Sequence, residues 1–360
     1  MAFARPMRIL IVKLSAIGDV VHALAVLDAL RRHFPEAHIG WLVEEAAAGL
    51  LYGHPQLDRV IVMPRKSWLR SVRRPAAWAE SIRRLATGIR LLRDTRYDVV
   101  IDLQAALKSS LPIRLCRADR IIGHDRADEH SHLFLTERVV AYDREEHAIR
   151  RYLDLAHYLG VPKGPIRCLI PADDAVRRRA AVLLRDTRID LARPFVAINP
   201  VAKWESKLWL TERFAELADR CIRELEIQIV FTGSGHDAGV TAAIASRMRE
   251  RCSILAGKSG LQELAQIYRL AGALITTDTG PMHIAAAVET PVIALFGPTA
   301  PWRTGPFGSG HHVLRSDASC SPCFKRQCSD AKCMRDITVN NVFDRVAAVL
   351  RPNHRQLPTD

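Results

Sequence analysis

Apolar residues gather along this chain in short unbroken runs, separated by stretches of helical spacing. The opening segment, "RILIVKLSAIGDVVHALAVLDALRRHFP", shows the repeating unit. A run long enough for a buried strand gives way to a Ser/Gly loop. Apolar positions then follow at Val20, Leu24, Leu27 and Leu30, one face of a helix that Pro35 ends. Further strands are predicted at Ile39–Val43, Val60–Met63 and Val99–Leu103, with helical stretches such as "AWAESIRRLATGIRLLRDT" between several of them. Strands alternating with helices imply a parallel sheet joined by right-handed crossovers.

The texture changes over residues 161–194. "VPKGPIRCLIPADD" carries three prolines and reads as a linker, ahead of a helix rich in Ala, Leu and Arg. A second series follows, with strands predicted at Phe195–Asn199, Ile227–Thr232, Ile254–Leu255, Ala273–Thr277 and Val292–Phe296. The pattern predicts an α/β protein with two Rossmann-like domains whose parallel sheets face across a cleft. The expected boundaries are residues 1–170 and 171–340, with 341–360 a C-terminal helix or tail packing back on the first domain. A length of 360 residues also favours two cores over one.

Composition changes this picture in two places. Only 6% of residues are aromatic, so Ala, Leu, Val and Ile must fill the core, which suits α/β layers better than a β-sandwich. The net charge of +13, with a pI near 9.7, suits an anionic partner. From Arg65 to Arg96 ten Arg and Lys residues face only Glu80 and Asp94. A solvated helical face accounts for such a stretch as well as a binding surface does. Four cysteines are scattered (Cys116, Cys168, Cys221, Cys252) and four are clustered (Cys320, Cys323, Cys328, Cys333), which is no disulfide scaffold in a chain this long. "MRILIV" is too short for a secretion signal, and no run approaches membrane-spanning length, so a cytoplasmic protein resting at most on a membrane surface is expected.

In open parallel sheets ligands bind where loops leave the carboxyl ends of strands for helix N-termini. Three such loops hold unusual residues. In "KLSAIGDVVH" Ser15 and Gly18 shape the turn, and Asp19 is either a helix-start acid or a carboxylate placed to take a proton. In "INPVAKWESKLW" Lys203 and Lys207 stand before a helix, as a diphosphate requires, although lysines free in water would look the same. In "ITTDTGPMHIAAAV" backbone amides of Thr279 and Gly280 would point at an anion, with His283 on the first helical turn. As structure alone, Asp278 would be an N-cap there.

Two other matches fail. "AGKSG" lacks the first glycine of a P-loop, because position 252 is Cys, and "GSGHDAG" has one residue too many for a dinucleotide fingerprint. "CSPCFKRQCSDAKC" holds a Cx2C half-site, but its remaining spacing is not a standard zinc pattern, so structural thiols are expected over a metal. A nucleic-acid-binding protein fits the charge, yet no helix-turn-helix, RNA-binding or zinc-finger signature accompanies it.

Taken in order, "ILIVKLSAIGDVVHALAVLDALR", "VVIDLQAALKSS", "KLW", "TTDTGPMHIAAAVETPVIALFGPT" and "CSPCFKRQC" resemble the family-nine glycosyltransferases, the ADP-heptose:lipopolysaccharide heptosyltransferases. The resemblance spans most of the chain. It implies the GT-B fold, an N-terminal acceptor domain, a C-terminal donor domain, and inverting transfer with no cofactor or metal. By position Asp19 resembles the general base and Lys207 the lysine on the donor diphosphate. Gly18, Lys203, Gly233, Asp278, Thr279, Gly280, Met282 and His283 match donor-binding positions. Asp237 is the acid available near "TGSGHD" for the donor ribose, and Lys203 stands where some relatives carry a hydroxyl. Gln104 and Lys108 correspond to the acceptor-side loop. Arg65, Lys66 and Arg70 fall in the basic stretch expected to meet acceptor phosphates or Kdo carboxylates. The implied partners are ADP-heptose and a lipid-linked anionic saccharide at the cytoplasmic face of the inner membrane, with no nucleic acid. A GT-B enzyme using another nucleotide sugar is the alternative.

Overall fold

The computed structural model describes residues 5–65, 78–125, 128–140 and 143–351. The chain divides into two compact units, Met1–Pro171 and Ala172–Asp360.

The first unit runs β1 (Arg8–Val12), α1 (Ile17–His33), β2 (His38–Glu44), α2 (Glu45–Ala48), β3 (Arg59–Met63), α3 (Trp78–Arg93), β4 (Arg96–Asp102), α4 (Leu107–Leu115), β5 (Arg117–His124), β6 (Glu137–Val139) and α5 (Ala148–Tyr158). Its six strands are all parallel, in the order β3-β2-β1-β4-β5-β6. Central β1 is covered on both faces, which is why Ile9, Leu10, Ile11 and Val12 form an unbroken apolar run. Helix α1 packs against α5, and it buries far more than the one face expected of it, including Val21, Ala25 and Val26.

The second unit runs α6 (Asp174–Asp186), β7 (Phe195–Asn199), α7 (Thr211–Leu225), β8 (Gln228–Phe231), α8 (Ala238–Ala245), β9 (Ser253–Ile254), α9 (Leu261–Leu270), β10 (Ala273–Thr277), α10 (Gly280–Ala287), β11 (Val292–Phe296), α11 (Pro301–Thr304), β12 (His312–Arg315), α12 (Lys332–Arg335) and α13 (Val339–Leu350). Its sheet is again parallel, ordered β12-β11-β10-β7-β8-β9. Counted from the first strand of each unit, both sheets have the order third, second, first, fourth, fifth, sixth. That is the Rossmann winding, and its switch point lies between the first and fourth strands. The loops that matter should therefore follow β1 and β4 in one unit, and β7 and β10 in the other.

The sequence pattern missed β5, β6 and β12, and one assignment needs correction. Val339, Val342, Phe343 and Val346 of α13 enter the core formed by α7 and the second sheet. Residues 341–351 thus belong to the second unit's own core and are not a separate tail; residues 352–360 lie outside the described residues.

Candidate active site

In the first unit β1 and β4 pair with Val12 opposite Asp102, so the loops leaving them run side by side. Gln104 fastens these loops together: its Oε1 accepts hydrogen bonds from the backbone N–H of Leu14 (3.1 Å) and Ser15 (3.0 Å). Asp102 in turn sets Gln104, accepting from the N–H of Gln104 (3.0 Å) and Ala105 (3.3 Å) and from the Ser109 hydroxyl (3.1 Å). Ala105 sits at φ +50°, a left-handed conformation that the Asp102 contact helps to hold. Burial pushes the Asp102 carboxyl up to about 6, against the pull of these donors and of Lys13.

Lys13 closes β1 and is only 3% exposed. Its Nζ donates to the Leu103 carbonyl (2.9 Å) and to the Tyr152 hydroxyl (2.7 Å). Tyr152, on α5, donates onward to Asp19 Oδ1 across a long 3.4 Å. The other Asp19 oxygen accepts from the Ala16 N–H at 3.1 Å. Both readings of Asp19 meet here: the carboxylate closes the first turn of α1, yet it stays partly exposed with a phenol and a buried cation behind it.

Lys108 Nζ donates to Ser15 Oγ at 2.6 Å, beside the Asp19 loop. Burial lowers its pKa, with Lys13 and Arg65 adding to the effect and Glu44 and Asp19 opposing it. Arg65 Nε donates to Glu44 Oε1 at 2.7 Å. Glu44 is 1% exposed, and its second oxygen has no hydrogen-bond partner among the described residues. Arg65, Gln104, Lys108 and Asp19 therefore gather at one edge of the sheet, and Gly18 is buried in the first turn of α1. Lys66 and Arg70 lie outside the described residues.

The second unit builds its switch point around one ion pair. Lys207 Nζ, after β7, meets Asp278 Oδ2, after β10, at 2.6 Å. The Thr299 hydroxyl donates to the same oxygen at 2.6 Å, and the ammonium lies 4.4 Å from the centre of the Trp204 ring. Asp278 is thus not the cap of α10. That position belongs to Thr279, which makes no side-chain cap bond; Pro281 has no N–H and the Met282 N–H donates to the Thr279 carbonyl at 3.1 Å, so the first-turn amide offered to an anion is that of Gly280. Met282 and His283 are buried on this first turn, and Lys203 is exposed.

The neighbouring loops are tied closely. Ser206 Oγ donates to the Lys325 carbonyl at 2.6 Å, and the Ser206 N–H donates to the Arg326 carbonyl at 3.2 Å, so "FKRQ" braces the Lys207 turn. Asp237 Oδ2 accepts from the N–H (2.7 Å) and hydroxyl (2.6 Å) of Ser234. A side chain at Gly233 would meet Asp237 Cβ at 2.9 Å. The "AGKSG" glycine serves geometry: Gly257 sits at φ +78°, and a Cβ there would lie 2.7 Å from Gly235 Cα. Among the described residues no three His, Cys, Asp or Glu side chains are placed to hold a metal ion. In the cysteine cluster Cys320 and Cys328 are exposed, and burial raises the Cys333 thiol, helped by its three neighbours.

Sequence reasoning overlooked Lys13, Glu44, Asp102, Tyr152, Trp204 and Thr299. For Lys13 and Asp102 a signal existed, a charged residue closing an apolar strand in "ILIVK" and "VVID". Tyr152 had none, because only the fold brings it to Asp19.

The family model for Glycosyltransferase family 9 (heptosyltransferase) matches residues 84–334. The chain is 30% identical over 332 residues to lipopolysaccharide heptosyltransferase 1 of Pseudomonas aeruginosa, covering 90% of this chain and 88% of that one. It is 29% identical to lipopolysaccharide heptosyltransferase 2 of Salmonella typhimurium, covering 86% and 88%. The E. coli heptosyltransferase WaaC, solved with ADP, superposes with a TM-score of 0.76 at 25% identity, over 95% of this chain and all of that one. The same enzyme has been solved with ADP-2-deoxy-2-fluoro heptose. With two parallel Rossmann sheets of the GT-B class, the chain belongs to glycosyltransferase family 9 and is a heptosyltransferase.

Proposed function

We propose that the enzyme moves a heptose from ADP-heptose to a Kdo or heptose of the lipopolysaccharide inner core, inverting the anomeric centre. The second unit holds the donor and the first receives the acceptor. The observation that carries this reading is the start of α10. The acid that should cap it is spent on Lys207 and Thr299, and the Gly280 amide at its uncapped start stands near that lysine. An uncapped helix start and a cation suit a diphosphate.

As the glycosidic bond to the leaving phosphate breaks, negative charge grows on the departing oxygen. Lys207, aimed by Asp278 and Trp204, neutralises it together with the Gly280 amide at the start of α10. Asp278 aims the lysine and does not touch phosphate, since a carboxylate would repel it. Met282 and His283 shape the same turn, while Lys203, Gly233 and Asp237 line the donor's nucleotide end. On the acceptor side Asp19 takes the proton of the attacking hydroxyl, and Tyr152 and Lys13 hold the carboxylate in position. Lys108, Gln104 and the basic stretch containing Arg65, Lys66 and Arg70 meet the acceptor's acidic groups. The reaction on this reading uses no metal or cofactor. It takes place at the cytoplasmic face of the inner membrane, where the enzyme is a peripheral protein.

The test is a calorimetric titration with ADP, UDP and GDP in EDTA, on the wild type and on Lys207→Ala. Binding selective for ADP and weakened about tenfold or more in the variant is expected. Preference for UDP or GDP would transfer the mechanism to another nucleotide sugar, and no binding would overturn the α10 assignment.

A further inference from the structure

Helices α3 and α4 both start at the carboxyl edge of the first sheet, since each returns from a strand end to begin the next parallel strand. Both carry an exposed row with the same order of residue types. On α3 it runs Trp78, Ile82, Ala86, Arg90, each four residues after the last. On α4 it runs Leu107, Leu111, Arg114. Trp78 is 53% exposed, Ile82 62%, Leu107 51% and Leu111 68%. The two helices pack on each other, and the turn Asp128–Phe134 packs against α4, adding Leu133 at 64% exposure. This turn is fixed to α4 by Glu129, whose Oε2 accepts from the Leu107 N–H at 3.0 Å.

Single exposed apolar residues are ordinary, but five large ones on three packed elements form a patch that calls for an occupant. Two observations identify it. Each row passes from apolar to arginine, the α3 row within the Arg65–Arg96 stretch where ten cations oppose two acids, and that order matches an interface with hydrocarbon on one side and anionic headgroups on the other. The patch also adjoins the acceptor loop: Leu107 precedes Lys108, which bonds Ser15 beside Asp19. No described helix is long and apolar enough to cross a membrane, so contact through side chains at the surface is the mode this face allows.

We propose that the N-terminal halves of α3 and α4, with Leu133, form a docking surface that seats the first unit on an anionic phospholipid bilayer. The apolar residues enter the interfacial layer, and Arg90 and Arg114 meet lipid phosphates. This rests on the reading of the acceptor as lipid-linked. It goes further in assigning membrane contact to a surface distinct from the acceptor's own contacts.

The test is flotation of the full chain with vesicles of phosphatidylcholine alone, and of phosphatidylcholine mixed with phosphatidylglycerol. It compares wild type, Ile82→Asp/Leu111→Asp and Arg90→Glu/Arg114→Glu. The wild type should float with the mixed vesicles and weakly with neutral ones. Both variants should lose binding by about tenfold or more while keeping the wild-type ADP titration, since neither pair touches the donor unit. Retained binding in the Ile82→Asp/Leu111→Asp variant would overturn the proposal. So would a wild-type dimer, seen by analytical ultracentrifugation, that this variant dissolves, because the occupant would then be a second copy. An absent ADP titration in the wild type would sink the donor assignment without touching the vesicle result.

Discussion

The two sheets share one winding, yet their switch points are organised in opposite ways. In the first unit the charges around Asp19 are linked through neutral groups: Lys13 through Tyr152 to Asp19, Lys108 to Ser15, and Asp102 through Gln104 to the same turn. In the second unit one compact ion pair stands beside an uncapped helix start. A group that must accept a proton needs surroundings that tune and orient it. A group that holds a diphosphate needs a fixed positive field. On the proposed roles the same backbone frame meets both needs, because its loops, and not its strands, carry the difference.

The comparison breaks most sharply on Asp19. Asp19→Asn should lower turnover by roughly 10²–10⁴-fold while leaving the ADP titration at its wild-type value. Lys207→Ala should lower turnover by about 10²–10³-fold and weaken ADP as well. If steady-state rates and calorimetry showed Asp19→Asn losing ADP affinity, the division of labour between units would fail. A smaller effect sharpens the picture of the first unit. Tyr152→Phe removes the donor to Asp19 Oδ1, and kcat should fall several-fold, about three to ten, with the donor KM unchanged. An equal rise in KM would mean that Tyr152 supports donor binding instead.

A further expected effect concerns stability and not turnover. The Asp102 carboxyl is raised on folding to about 6, so its stabilisation is full below about pH 4 and is lost as pH rises through about 6. Asp102→Asn does not titrate. The wild type should therefore gain on the variant by up to roughly 3 kcal/mol between about pH 7 and pH 4. Thermal melts of both proteins across that range would show a widening difference in Tm. A constant difference would mean that Asp102 is not held in the protonation balance its burial imposes.

Legibility in the sequence followed burial. Phe195–Asn199, Ala273–Thr277 and Val292–Phe296 are buried along their whole length, so each apolar run coincides with the strand it predicts. The strand β5 escaped notice because its first half is solvent-facing and charged. Arg96 pairs there with Asp119, and Arg120 with Glu137, contacts between strands that linear reading cannot register. The site behaved likewise. Asp19, Lys207 and Asp278 were visible as special residues in loops after strands. The bond between Lys207 and Asp278 spans 71 positions and the approach of Tyr152 to Asp19 spans 133, so only the strand order creates them. The expected cap at Asp278 failed because a carboxylate beside an ammonium gains more from that partner than from two amides.

The described strands form two separate sheets, with none shared between them. A substitution in one sheet therefore breaks no strand pairing in the other. On the proposed division of labour, saccharide recognition can change through the loops after β1, β3 and β4 while the loops after β7 and β10 keep the nucleotide. On that reading the fold keeps two specificities on two separate sets of loops within a single chain.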